Sequence, residues 1–296
     1  MEDALHTFWS CPANEFIDDD TLVSTQSLIP FAEAQAGDTP CLWFRGLLPS
    51  SYTSLKEEHE PPETDDIVLV NRTHHPISWG SNTYYGDASG GTLTSVPTLR
   101  RIGIGLACVD PQGVLLFGVH ARLPGSVQTV PRGELYAIVL LARLAIPLAI
   151  IDFFTDNLGV HDAFNKGPLF CSRTANCDLF AELFEIIHDK ALLFTVRWMP
   201  SHLLEEPTKC VFAGCSLMDL RGNDKADKLA VEAARRAQLP PHVCAKVIFN
   251  LRLVQRIQLR LTTILTNLPD RPKPKKAKVE KVRLQELIDR SSHLNC

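Results

Sequence analysis

Three short stretches with apolar residues, 79–88, 103–110 and 113–120, are the β-strand candidates that open the central part of the chain. Pro111, Gln112 and Gly113 supply a tight turn between the second and third, which makes that pair an antiparallel hairpin. The period then becomes helical in VPRGELYAIVLLARLAIP, where Thr129 is placed to cap, Pro131 suits the first turn and Pro147 stops the helix. LAIIDFFT is almost continuously apolar, as in a strand covered on both faces. Helices near 159–166 and 177–190, a strand LLFTVRW and a last helix from about Asn223 to Ala237 complete the series. This βββαβαβα order predicts an α/β fold: a mixed five-stranded sheet, its first three strands antiparallel, with helices on both faces.

The flanks break the pattern. Residues 49–66, PSSYTSLKEEHEPPETDD, mix Pro, Ser and acids and read as a linker. The predicted organisation is an irregular piece over 1–48, a linker over 49–78, a main domain over 79–240 and a basic helix and tail over 241–296. In that last segment apolar residues recur at helical spacing (Ile248, Leu251, Val254, Leu259, Leu261, Leu265), interleaved with Arg252, Arg256 and Arg260. Such a helix suits nucleic acid or a partner helix, and equally suits packing on its own domain. The lysine-rich RPKPKKAKVEKVR after it resembles a nuclear-localisation patch.

Composition narrows the class. The 296 residues, 45% hydrophobic, suffice for one good core. No apolar run approaches the roughly 18 residues of a membrane helix, and MEDALHTFWS lacks the features of a signal peptide. An intracellular protein, nuclear or cytoplasmic, monomeric and without membrane association, is expected. The nine cysteines form no compact framework and are expected as reduced thiols. Cys171 with Cys177, and Cys210 with Cys215, lack a common zinc-finger spacing and read as core or loop thiols. The net charge of −4 hides an asymmetry: residues 1–70 carry 14 acids and 2 bases, residues 241–296 carry 12 bases and 4 acids. The basic end suits an anionic partner, while the acidic front argues against a uniform nucleic-acid clamp. Solvated flanks would give the same counts.

Four carboxylates stand where chemistry is plausible. Asp87, in YYGDASGG, lies on the first strand before a glycine pair, and Asp156 ends the apolar strand in FFTDN. If those strands are parallel neighbours, both acids face one crevice beyond the strand ends. Glu134 sits in the first turn of its helix on the same face as Ile138 and Leu141, and a buried carboxylate needs a compensating partner. Asp227, in GNDKADKLAVEAA, is in line with Ala230 and Val231. Taken singly, each has a plainer reading as a cap, a turn residue or a complement to the helix dipole. Together they suit two divalent cations clamping a phosphodiester.

In chain order, YGDASGG, GELYAIVLLA, FFTDN, VRWMPSH and GNDKADKLA resemble the successive signatures of ribonuclease H over roughly residues 79–240. The resemblance implies a ribonuclease H-like fold and an endonuclease that cuts the RNA strand of RNA/DNA hybrids. It implies two Mg2+ ions, with Mn2+ as an alternative, held by Asp87, Glu134, Asp156 and Asp227. Glu134 would also accept from the ribose 2′-hydroxyl, and His202 would match the family's mobile histidine, which assists proton transfer or product release. LHTFWSCPAN and CLWFRGLLP resemble the end of the zinc-binding segment after the reverse transcriptase of LINE-like retrotransposons, which implies a retroelement origin and a reverse-transcriptase partner. The chain departs from many relatives in the long stretch between His202 and Asp227, and in KGPLFCSRTANCD, which stands where some carry a basic protrusion.

Two rivals remain at this level. A transposase or integrase nuclease would end in a helical Glu and lack the early helical acid, so Glu134 and Asp227 weigh against it. A non-catalytic nucleic-acid-binding module domesticated from a retroelement would have no reason to keep four like charges that repel without metal. Clustered acids should carry at least one raised pKa in the metal-free protein. In the N-terminal remnant His6 and Cys11 are two ligands, too few for a closed zinc site, so metal analysis of purified protein should find no stoichiometric zinc.

Overall fold

The computed structural model describes residues 3–71, 77–201 and 214–268. Its strands are β1 (Val68–Asn71), β2 (Asn82–Ser89), β3 (Gly103–Val109), β4 (Leu115–Arg122), β5 (Ile150–Thr155) and β6 (Leu193–Trp198). The described helices are α1 (Asp20–Thr25), α2 (Ile29–Gln35), α3 (Pro40–Arg45), α4 (Val130–Leu144), α5 (Leu158–Lys166), α6 (Pro168–Cys171), α7 (Cys177–Asp189), α8 (Leu217–Ala237) and α9 (Pro241–Asn267). The chain divides into two compact units, Leu48–Arg252 and Met1–Leu47 with Leu253–Cys296.

The larger unit holds one mixed sheet in the order β1-β4-β3-β2-β5-β6. β2, β3 and β4 form the expected antiparallel meander, while β5 and β6 add in parallel to β2. The hairpin turns as its residues require: Gly113 has φ +77°, and the Asp110 carboxylate accepts from the N–H groups of Gln112 and Val114. A sixth strand extends the five expected. β1 comes from the stretch read as a linker and pairs antiparallel with β4 at the sheet edge. That stretch is fastened further by Tyr136, whose hydroxyl donates to Asp65 at 2.6 Å, and by the ion pair of Arg236 with Asp66 at 3.3 Å. The Pro- and acid-rich composition of 49–66 masked the short apolar run Ile67–Val70 that follows it and pairs at the sheet edge.

Helices cover both faces. Neighbouring residues of a strand point to opposite sides, and a Cβ at Gly86 would strike Phe153 and Ala137 of α4, while Tyr85 lies against Gly222 of α8. The α4 face buries Leu135, Ile138, Phe153, Leu183 and Val196. α4 is apolar on nearly every side, buried from Gly133 to Ala142, so its pattern is that of a central helix and not of a one-sided one. Thr129 caps it through its main-chain oxygen, which accepts from Arg132 and Gly133, with no side-chain bond. At the other end the Lys190 ammonium donates to the carbonyls of Ala142, Arg143 and Ala145 at 3.1, 2.6 and 2.9 Å. On the opposite face α8 lies directly on β3, where side chains at Gly103 and Gly105 would run into the helix backbone at Ala230, Ala234 and Ala226. Ser216 and Asp219 form a capping box at its start, and the Tyr85 hydroxyl donates to Asp219 at 2.7 Å.

In the smaller unit the segment expected to be irregular folds into α1–α3 and single helical turns around Trp9 and Trp43. Their rings meet edge to face at 5.3 Å, and the Trp9 indole N–H donates to the Trp43 carbonyl at 2.9 Å. The part of α9 in this unit buries Val254, Ile257, Leu261 and Ile264, while Leu259 and Leu265, expected on that face, are exposed. Arg260, expected among the exposed bases, is buried. No disulfide joins the described cysteines, and no described helix is long and apolar enough to cross a membrane. His202, Cys210 and the lysine-rich tail lie outside the described residues.

The contact of α8 with β3 should tolerate no side chain. Gly105→Ala is expected to lower stability by about 3 kcal/mol or more in chemical denaturation, whereas Gly37→Ala, with nothing within 4 Å of the added methyl, should change it little.

Candidate metal centre

The parallel pairing of β2 with β5 places Tyr85 beside Phe154, their rings stacked at 5.5 Å. Asp87 and Asp156 follow two residues beyond those partners, at the same end of adjacent strands. Glu134 arrives from the first turn of α4. One carboxylate oxygen from each of Asp87, Glu134 and Asp156 can be chosen so that all three lie within 4.8 Å of one another. Three acids that stand 47 and 22 residues apart in sequence thus form the one such group among the described residues.

Their surroundings are dry. Asp87 is 8% and Glu134 4% exposed, and Asp156 is half-buried. Burial, followed by the charge of Asp156, pushes the Asp87 carboxyl up to about 7; a hydrogen bond from Glu134 and one from the Ala88 N–H hold it back, and Asp227 raises it further. Burial also lifts Glu134 well above the usual carboxylate range, and the charges of Asp87 and Asp156 add to it. Glu134 Oε2 is buried without a hydrogen-bond partner, an orphan acceptor of the kind that a cation satisfies. The Ala88 N–H bonds Asp87 Oδ1 at 2.6 Å, and the Trp198 indole donates to the Asp156 carbonyl at 3.1 Å, so both aspartates are held in place.

Asp227 is exposed on α8 and lies outside the group of three, although its charge is felt at Asp87. It follows Ala226, which packs over Gly105, the β3 partner of Asp87. The expected set of four is therefore three converging acids and one at their margin. His202 falls outside the described residues. Sequence reasoning passed over Asn223, four residues before Asp227, whose side-chain oxygen is buried without a partner. The motif GNDKADKLA contains it, but an asparagine there carries no signal of burial. A cleft of about 370 Å³ is lined by Pro131 and Leu135 of α4, by Asn157, and by Lys166 and Asn176, without any of the three acids.

No family model matches the chain, and no curated protein matches it. Solved structures do. The solution structure of the PFV RNase H domain matches with 15% identity and a TM-score of 0.39, covering 52% of this chain and 94% of that one. The crystal structure of prototype foamy virus protease-reverse transcriptase matches with 17% identity and a TM-score of 0.39, covering 56% of this chain and 22% of that one. At such identities the functional reading rests on the geometry of the acids.

Raised carboxyl groups make a stability prediction of definite sign. The folded chain keeps protons that the unfolded chain, with Asp87 at its ordinary 3.8, has released. This stabilising contribution is complete below about pH 4 and is lost as pH climbs through about 7. In EDTA, Asp87→Asn should flatten the decline and exceed the wild type at pH 8, by on the order of 3 kcal/mol. Thermal melts across this range check it, and a variant as pH-sensitive as the wild type contradicts it.

Proposed function

We propose that this chain is an endoribonuclease that hydrolyses the RNA strand of RNA/DNA hybrids with two divalent cations, Mg2+ or Mn2+. The observation that carries the reading is the convergence of Asp87, Glu134 and Asp156 from β2, α4 and β5. The residues fit such ions: the donors are hard carboxylate oxygens, two of them buried beside like charges, with the Oε2 of Glu134 lacking any other partner. Asp87, Glu134 and Asp156 would hold the cations, with Asp227 as the fourth ligand. When bound, the cations supply charge neutralisation at the scissile phosphate and a water of lowered pKa.

The protein's own groups do the positioning. Glu134, in the first turn of α4, would accept from a ribose 2′-hydroxyl, the group that separates RNA from DNA. Lys166, Asn157 and Asn176, on the walls of the 370 Å³ cleft, offer donors for a phosphate backbone. Lys166 and Asn176 belong to the segment that stands where some relatives carry a basic protrusion. His202 is the proposed proton-transfer or product-release residue. The sequence resemblance supports a retroelement origin and a reverse transcriptase as partner.

One observation favours a second reading. Asp227 stands apart from the other three acids, as a hybrid-binding module that has lost cleavage would allow. A labelled RNA/DNA hybrid separates the two. Wild-type protein with magnesium should cut the RNA strand, EDTA should abolish cutting, and Asp87→Asn should slow it by at least about a thousandfold. Magnesium should also raise the melting temperature of the wild type near neutral pH and leave Asp87→Asn unchanged. Binding of the hybrid without cleavage by the wild type would favour the module; equal cleavage by both proteins would mark a contaminant.

A further inference from the structure

The smaller unit contains a buried cation with no anionic partner among the described residues. Arg260 is 2% exposed, yet the three oxygens that it bonds are all uncharged. Its Nε donates to the Phe8 carbonyl at 2.9 Å, and Nη1 to the Leu22 carbonyl at 3.5 Å and the Thr25 hydroxyl at 3.3 Å. The guanidinium lies over the Trp9 ring, 5.1 Å from its centre. No described residue accepts from Nη2. A guanidinium without a carboxylate is costly to bury, because neutral acceptors compensate its charge only in part. Burial accordingly pushes its pKa down.

Arg260 lines a cleft of about 410 Å³, within the size range of small-molecule sites. Trp9, Leu22 and Ile29 give the cleft apolar walls, and its polar lining includes the exposed Glu15 and Glu33. We infer that this cleft is a binding site for a small carboxylate with an apolar body, its carboxylate seated on the free edge of Arg260. The forked N–H groups match a carboxylate, and the apolar walls match the remainder of the ligand. Glu15 and Glu33 disfavour a polyanion, so a nucleic-acid backbone is the poorer occupant.

The test uses the full chain with 15N-labelled arginine and tryptophan, titrated with benzoate and, separately, with benzamide, its uncharged counterpart. Benzoate should shift the Arg260 Nε–H and Trp9 indole signals saturably, with benzamide weaker by at least about tenfold. Ile29→Trp, which fills the cleft without altering the guanidinium, should abolish the benzoate shifts. Arg260→Lys should weaken benzoate by roughly tenfold. Three results would overturn the site: equal response to both compounds, which means apolar contact alone; no saturable response, which makes Arg260 only a clamp on Phe8 and Leu22; or saturation of the same signals by an oligonucleotide in place of benzoate.

Discussion

The parallel pairing of β2 with β5 is the constraint on which the site depends. With Tyr85 beside Phe154, any acids two residues further along must emerge at one end of the sheet, side by side. Everything else acts on that pair. α4 adds Glu134 from above, in a helix whose apolar surroundings deny the carboxylate water. α8, lowered onto β3 by two glycines, brings Asp227 to the margin. Burial first, and the neighbouring like charges after it, disfavour ionisation, so in the absence of cations Asp87 and Glu134 hold their protons above the usual carboxylate range. Burial and convergence are thus two aspects of one device: the dryness that makes the acids hard to ionise also makes them strong ligands.

Much of this could be read in the chain, for physical reasons that differ from element to element. β3 and β4 were legible as apolar runs joined by a tight turn, β3 being buried at every position between helices, and β5 as a nearly continuous apolar run. The acids were visible as charges in the wrong places, at the end of an apolar strand and in the first turn of an apolar helix. β1 was passed over although its run IVLV is apolar, because it is short and directly follows the Pro- and acid-rich residues 49–66. Nor was the exposure of Asp227, because helical spacing from Ala230 fixes an angle around the helix but not how far the covered stripe extends. The phase of α9 was misread for a similar reason: Leu259 and Leu265 satisfy the period, yet the buried line runs through Val254, Ile257, Leu261 and Ile264.

Arg260 illustrates what periodicity cannot supply. Beside Arg252 and Arg256 it looks like one more base on a solvated face, and its spacing from Ile257 and Ile264 is the only hint that it points inward. What keeps it there is a set of main-chain oxygens from residues more than 230 positions earlier in the chain. Side-chain chemistry of this kind is decided by tertiary neighbours, and an arginine with five donors and a long apolar stem can serve either environment.

The lysine at the far end of α4 has a bearing on assembly. Three helix-terminal carbonyls there depend on the ammonium of Lys190, at the close of α7, and a growing polypeptide reaches that residue only after β5, α5, α6 and α7 have all been made. Until then the central helix ends in bare acceptors. Closure of this end of α4 therefore waits until the chain has been made some forty-five residues beyond Ala145.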